Sequence, residues 1–363
     1  MRVIFWQGLA ALAAALVVFK SGQVAQAQTR PKIVEMVEPR GVSDATVNII
    51  TGSPNGTYLL FAYDMAAVLD SPNLRILGII GKGGGQNVSD ILHLKGIDLG
   101  MTQTDILSHL KKSGSAGANI ADRLVYVTKL YNEELHVVAG RSVNTLNDLD
   151  GKVVNFGEAG SSADISGRLI FESLGIKATA INMNQADALL AVKSGQIAAT
   201  LMLEGKPLSM LSAVKESDGL KLLAVPYTQA LEDDYLPASL SNEDYPGLVP
   251  SSQLVETVAV GTVLAAYNWP KNTDRYQRVA RLVTALFTKL ADFQKVPRHP
   301  KWKEVNLAAT LPGWKRFPAA AEWLDGVPTS TVAKAPDTAA PARAQAPAAA
   351  PGLEKAPAAV QPR

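Results

Sequence analysis

From Thr46 onward, strand-length apolar runs alternate with helix-length segments. Ala45 to Ile50 is a short run rich in β-branched residues and predicts a buried strand, and Leu59 to Leu69 predicts a helix free of Gly and Pro. The sequence then gives a strand at Leu74–Ile80, a short helix at Gln86–Leu94, a strand at Ile97–Met101 and a helix ending near Leu110. Between Leu124 and Ala139 two apolar runs flank the polar triplet Asn132-Glu133-Glu134, which predicts two strands. A second series follows, with strands at Lys152–Phe156, Ala178–Ile181 and Ala198–Leu203 and helices at Ile165–Leu174, Gln185–Lys193 and Leu208–Val214. A long apolar strand at Glu256–Ala266 and an amphipathic helix at Tyr276–Asp292 close the pattern. Such β-α repetition predicts an α/β fold with a mainly parallel sheet. Two series, with a late return to the first, predict two lobes with a ligand cleft between them. The expected division is 45–137 plus 245–326 for lobe 1 and 138–244 for lobe 2, with crossings near His136–Arg141 and in Pro226–Pro250.

Both ends of the chain break this pattern. Gly8 to Phe19 is an apolar stretch with Arg2 as the only earlier charge, and Ala25-Gln26-Ala27 has the small-x-small form of a cleavage site. Residues 1–27 therefore predict a secretory signal peptide cleaved near Ala27, with an uncleaved anchor as the alternative. Residues 28–44 are polar and contain Pro, and predict a flexible leader. Of the 36 residues from Pro328 to Arg363, 13 are Ala and seven are Pro, a composition that predicts a disordered tail. The whole chain has 35 basic and 33 acidic residues, and removal of Arg2 and Lys20 with the leader leaves 33 of each. A neutral mature chain gives no reason to expect a nucleic-acid partner. There is no Cys, so neither a disulfide framework nor a lipid-bearing cysteine is available. The location that follows is periplasmic.

Two loops carry the candidate chemistry. Thr51-Gly52-Ser53-Pro54-Asn55-Gly56-Thr57-Tyr58 and Gly157 to Asp164 each leave an apolar strand and enter a helix through small polar residues. Free backbone N–H groups and the positive end of a helix dipole suit an anion at such a place. The Gly-rich turn 81–85, including Gly85, and the strand end Thr102-Gln103-Thr104 are two further contributors, since ligands of open α/β sheets sit beyond the carboxyl ends of strands. None of these loops contains Arg.

Catalytic motifs do not emerge. His93, His109, His136 and His299 are scattered without metal-ligand spacing, no G-x-S-x-G elbow or Walker A loop occurs, and Gly81-Lys82-Gly83-Gly84-Gly85 is followed by Gln86 where a dinucleotide fingerprint needs Gly. No enzyme activity, metal or cofactor is expected. Trp269, Trp302, Trp314 and Trp323 read as packing residues of the last third.

In their order along residues 46–325, these segments resemble the TAXI family of extracytoplasmic solute-binding proteins that serve TRAP transporters. The resemblance rests on Thr51 to Tyr58, on Gly84-Gly85-Gln86-Asn87, on Gly96-Ile97-Asp98-Leu99-Gly100-Met101-Thr102-Gln103-Thr104-Asp105, on Leu130 to Val138, and on Asp148 to Val154 followed by Gly160-Ser161-Ser162. Pro54-Asn55 in the first loop and Ser162-Ala163 in the second depart from the family pattern. The resemblance implies a periplasmic binding protein that closes on an amino acid such as glutamate, or on a dicarboxylate, and passes it to the TRAP membrane subunits; a monomer is expected. In that reading Ser53, Asn55, Gly56, Thr57, Ser161 and Ser162 hold carboxylate oxygens, Gly160 is a further binding residue, and Tyr58 forms a wall or donates its hydroxyl. Gln103 and Thr104 bond the other end, and Glu204 pairs a ligand amine. The alternatives are a periplasmic sensing subunit for a membrane receptor and a secreted hydrolase using Ser161.

Overall fold

The computed structural model describes residues 45–326; the expected signal peptide, leader and tail lie outside them. The strands are β1 (Thr46–Ile50), β2 (Arg75–Ile79), β3 (Leu99–Gln103), β4 (Leu124–Gly140), β5 (Val153–Asn155), β6 (Thr179–Ile181), β7 (Ala199–Glu204), β8 (Leu220–Leu223), β9 (Leu236–Ser241) and β10 (Leu254–Tyr267). The main helices are α1 (Thr57–Leu69), α2 (Gly84–His93), α3 (Thr104–Ser113), α4 (Ser162–Ser173), α5 (Gln185–Lys193), α6 (Asp274–Thr288) and α7 (Pro318–Gly326). The class is the mixed α/β expected from the pattern.

The sheet is mixed rather than mainly parallel. Its order is β2-β1-β3-β10-β4-β7-β5-β6, with β8 beside β4 and β9 beside β10. β1 pairs in parallel with β2 and β3, and β5 with β6 and β7. β10 runs antiparallel to β3, β4 and β9, and β4 antiparallel to β7 and β8. Two parallel blocks are thus joined by two long antiparallel strands. β4 is a single strand of 17 residues, not two. Asn132-Glu133-Glu134 looks like a turn in sequence, yet both glutamates are buried in the strand because partners far along the chain satisfy them.

The apolar interior divides into two groups, one per lobe. One joins residues of 47–131 with residues of 263–320, including the stack of Phe61 on Trp302 at 4.2 Å. The other joins Leu135 to Val249 with Val258 and Val260. By core membership the chain therefore changes lobe between Tyr131 and Leu135, inside β4, and returns between Val260 and Val263, inside β10. Both changes occur within continuous apolar strands, so periodicity carries no mark of either; the first lies just before the expected His136–Arg141 and the second after the expected Pro226–Pro250. Among the described residues, no helix is long and apolar enough to cross a membrane.

The change of lobe in β4 is held by ions. Lys301, 3% exposed, bridges Glu134 at 2.5 Å and Glu304 at 2.8 Å, and the other Glu134 oxygen accepts the Lys206 backbone N–H. Burial alone would lower Lys301, but the two carboxylates outweigh it and hold its pKa above the usual value.

Candidate functional site

A cavity of about 260 Å³ opens between the lobes. One wall is the loop after β1 (Gly52, Ser53, Pro54, Asn55 and Tyr58) with the turn after β2 (Gly81, Lys82, Gly83). The facing wall is the loop after β5 (Gly157, Glu158, Ser161, Ser162, Ala163), the entry to α5 (Asn184, Gln185, Ala186), and Leu203, Glu204 and Met210 around the end of β7. These segments follow the carboxyl ends of parallel strands, the expected place for a ligand.

Local chemistry builds each wall. Asn87 is fully buried, its Oδ1 accepts from Gly83 N–H, and its amide donates to the carbonyls of Ile50 and Met101. One side chain thus ties the glycine turn to the ends of β1 and β3. Gly83 and Gly84 have φ of 76° and 54°, and a Cβ on Gly84 would stand 2.6 Å from Ser162 N. Only glycine lets the turn lie this close against the other lobe. The Gln86 N–H donates to the Gly160 carbonyl across the same contact.

On the opposite wall Ser161 caps α4, its hydroxyl oxygen accepting from Asp164 N–H, while Asp164 in turn accepts from Gly160 N–H. Buried, Asp164 would rise, but bonds from Asn182, Gly160 and Arg168 hold its pKa below the usual range. Asn184 caps α5 in the same manner.

The start of α1 is different. Gly56 supplies no side-chain cap, and the Thr57 N–H is taken by the Glu204 carboxylate at 3.0 Å, 147 residues away. Thr57 Oγ1 donates to the neighbouring Gly205 carbonyl. A Cβ on Gly56 would lie 2.8 Å from a Glu204 oxygen, so this glycine makes room for the carboxylate. Burial pushes Glu204 up to about 7, against the lowering effect of the Thr57 bonds. Behind it lies Glu133, fully buried, accepting from the Gln103 amide at 2.6 Å. Burial, then the Glu204 charge, push Glu133 well above the ordinary carboxylate range. Burial and Glu133 likewise raise Tyr58, which lines the cavity.

The structure places six of the twelve residues expected from the sequence on the cavity: Ser53, Asn55, Tyr58, Ser161, Ser162 and Glu204. The others stand behind it. Gly56 and Thr57 receive Glu204, as described. Gln103 is fully buried and donates to Ser162 and Glu133. Thr104 packs its methyl against Gly261, Gly85 faces Ile165, and Gly160 accepts the Gln86 N–H across the lobes while donating its own N–H to Asp164 within its loop. Sequence reading did not single out Lys82, Glu158, Asn184, Gln185 or Met210, all of which line the cavity. Lys82 was legible, as the one cation in the glycine turn. Gln185 and Met210 carry no local signal; only the fold brings them there. His136 lies away from the cavity, buried against the Tyr245 hydroxyl at 2.7 Å, with burial lowering it to about 4.

Solved structures similar to this chain share little sequence with it. A structure described as a periplasmic transporter matches at 15% identity, covering 77% of this chain and 93% of its own, with a TM-score of 0.46. The alkanesulfonate-binding protein of Xanthomonas axonopodis pv. citri, bound to MOPS, matches at 17% identity over 78% of this chain and 84% of its own, with a TM-score of 0.42. An ancestral arginine-binding protein bound to arginine matches at 14% identity over 68% and 93%, with a TM-score of 0.40. At the level of sequence the model of the NMT1-like family matches residues 49–314, and the chain belongs to that family.

Proposed function

We propose that this protein is an extracytoplasmic solute-binding protein that captures a small anionic solute, an amino acid such as glutamate or a dicarboxylate, and hands it to a TRAP-type membrane transporter. The observation that carries the reading is the cavity between the lobes, with hydroxyl donors at the start of α4 on one wall and Lys82 on the other. Its size, about nine water volumes, suits a small solute rather than a cofactor. The sequence resemblance to TAXI proteins supports the TRAP assignment, and the secretory leader expected from the sequence supports delivery from the periplasm.

Glu204 modifies the first expectation for the ligand. Its carboxylate already occupies the α1 helix start, so the solute's anionic end belongs at α4 and Lys82 rather than at Thr57. Glu204 and Glu158 then face the remainder of the solute, where an ionised carboxylate pairs an amine and a protonated Glu204 can donate to a second carboxylate. Ser161 has a structural duty as a helix cap, which supports binding rather than hydrolysis.

Native mass spectrometry of protein stripped of small molecules by unfolding and refolding tests this reading. One-to-one adducts with L-glutamate or succinate, lost in the Ser161→Ala/Ser162→Ala variant, are expected. No adduct with any member of an amino-acid and dicarboxylate panel would defeat it.

A further inference from the structure

Gln103 and Glu133 belong to no wall of the cavity, yet they hold one of its hydroxyls from behind. Gln103 ends β3 in one lobe, and Ser162 opens α4 in the other. The Gln103 amide nitrogen donates to Ser162 Oγ at 2.5 Å and to Glu133 Oε2 at 2.6 Å, with both Gln103 and Glu133 fully buried. A serine hydroxyl has a single proton to give. Because Ser162 Oγ receives the amide N–H, its own proton is not spent on Gln103 and is free for the cavity that Ser162 lines. The carboxyl oxygen of Glu133 faces the nitrogen end of the amide and keeps that end turned inward. Ser161 is in the same state, since its oxygen receives Asp164 N–H.

We propose that Gln103 and Glu133 are positioning residues that fix Ser162 as a hydrogen-bond donor toward the cavity, so that this wall selects a carboxylate or carbonyl oxygen on the solute and discriminates against an amine. The proposal rests on the cavity being the solute site and adds the device that sets its polarity. Because Gln103 and Ser162 come from opposite lobes, the donor is set only where the lobes meet.

Calorimetric titration with succinate, L-glutamate and 1,4-diaminobutane tests this on the wild type, Gln103→Met, Ser162→Ala and the double variant. Succinate or L-glutamate binds the wild type and diaminobutane does not. Gln103→Met weakens binding by about five- to tenfold, the range of one well-placed hydrogen bond, and has no further effect once Ser162 is Ala. Additive losses, an unchanged affinity in Gln103→Met, or binding of diaminobutane would overturn the proposal while leaving the solute site in place. Absence of binding by both acids to the wild type would instead remove the site reading itself. A merely structural role is separated by Glu133: Glu133→Gln, which keeps an acceptor for the amide, retains affinity within about twofold, whereas Glu133→Leu reproduces Gln103→Met. If Gln103→Met does not fold, the Glu133 pair decides, and equal affinities in Gln and Leu overturn the proposal.

Discussion

Glu204→Gln isolates the carboxylate at the centre of the site. In the unfolded chain this group titrates near 4.5, and in the fold it is pushed up to about 7 by burial. Between these values the folded protein keeps a proton that the unfolded chain has released. Stability from this group is therefore fully present below about pH 4.5 and is lost as pH rises through 7. At 1.36 kcal/mol per pKa unit the loss is at most about 3 kcal/mol, and less to the extent that the carboxyl sees solvent through the cavity. Gln keeps the shape and an oxygen for the Thr57 N–H but cannot ionise. Thermal melts of both proteins at pH 4.5 and pH 8 read the effect. Relative to wild type, the variant should gain about 5 °C in Tm between the two pH values, taking roughly 2 °C per kcal/mol for a chain of this size. A difference in Tm that is the same at both pH values would refute the buried, proton-holding role of Glu204.

Three further outcomes follow from the packing. Gly84→Ala places a Cβ 2.6 Å from Ser162 N at a φ of 54°, so a destabilisation of about 1–3 kcal/mol in urea and weaker solute binding are expected; a fully stable variant of unchanged affinity would contradict the close contact. Lys301→Met strands the buried Glu134 carboxylate and should cost about 3–5 kcal/mol, with part of the loss recovered in Lys301→Met/Glu134→Leu; no recovery would mean that the pair is not what the lysine serves. His136, lowered to about 4 by burial, stays neutral in the fold while the unfolded chain takes a proton below about pH 6.5, so stability falls as pH drops from 6.5 toward 4. His136→Gln should flatten that limb of a urea-stability profile by about 3 kcal/mol, and an unchanged slope would contradict the assignment.

The parts of the fold legible in the sequence were those written locally. Alternating apolar runs marked β1, β3, β7 and β10, and small polar loops marked the starts of α1 and α4. The misread segment, Asn132-Glu133-Glu134, failed because two charged residues in a strand are affordable only with Gln103, 30 residues away, and Lys301, 167 residues away from Glu134. Glu204 lines the cavity, but its partner Thr57 lies 147 residues earlier, and no periodicity signals that contact. For the same reason Gln103 reads in sequence as a ligand contact and stands in the structure behind Ser162, a residue of the cavity wall. Reading by spacing finds which segments converge; it does not find which side chains of a segment face the space between them.

The solute site is tested most directly by following backbone amide resonances of the stripped protein during titration with L-glutamate and succinate. Ser53, Tyr58, Lys82 and Gly83 on one wall, with Ser161, Ser162, Gln185 and Glu204 on the other, should shift together on a single one-to-one isotherm. Shifts confined to one wall, shifts elsewhere on the molecule, or no shift with either acid would contradict a solute site between the lobes.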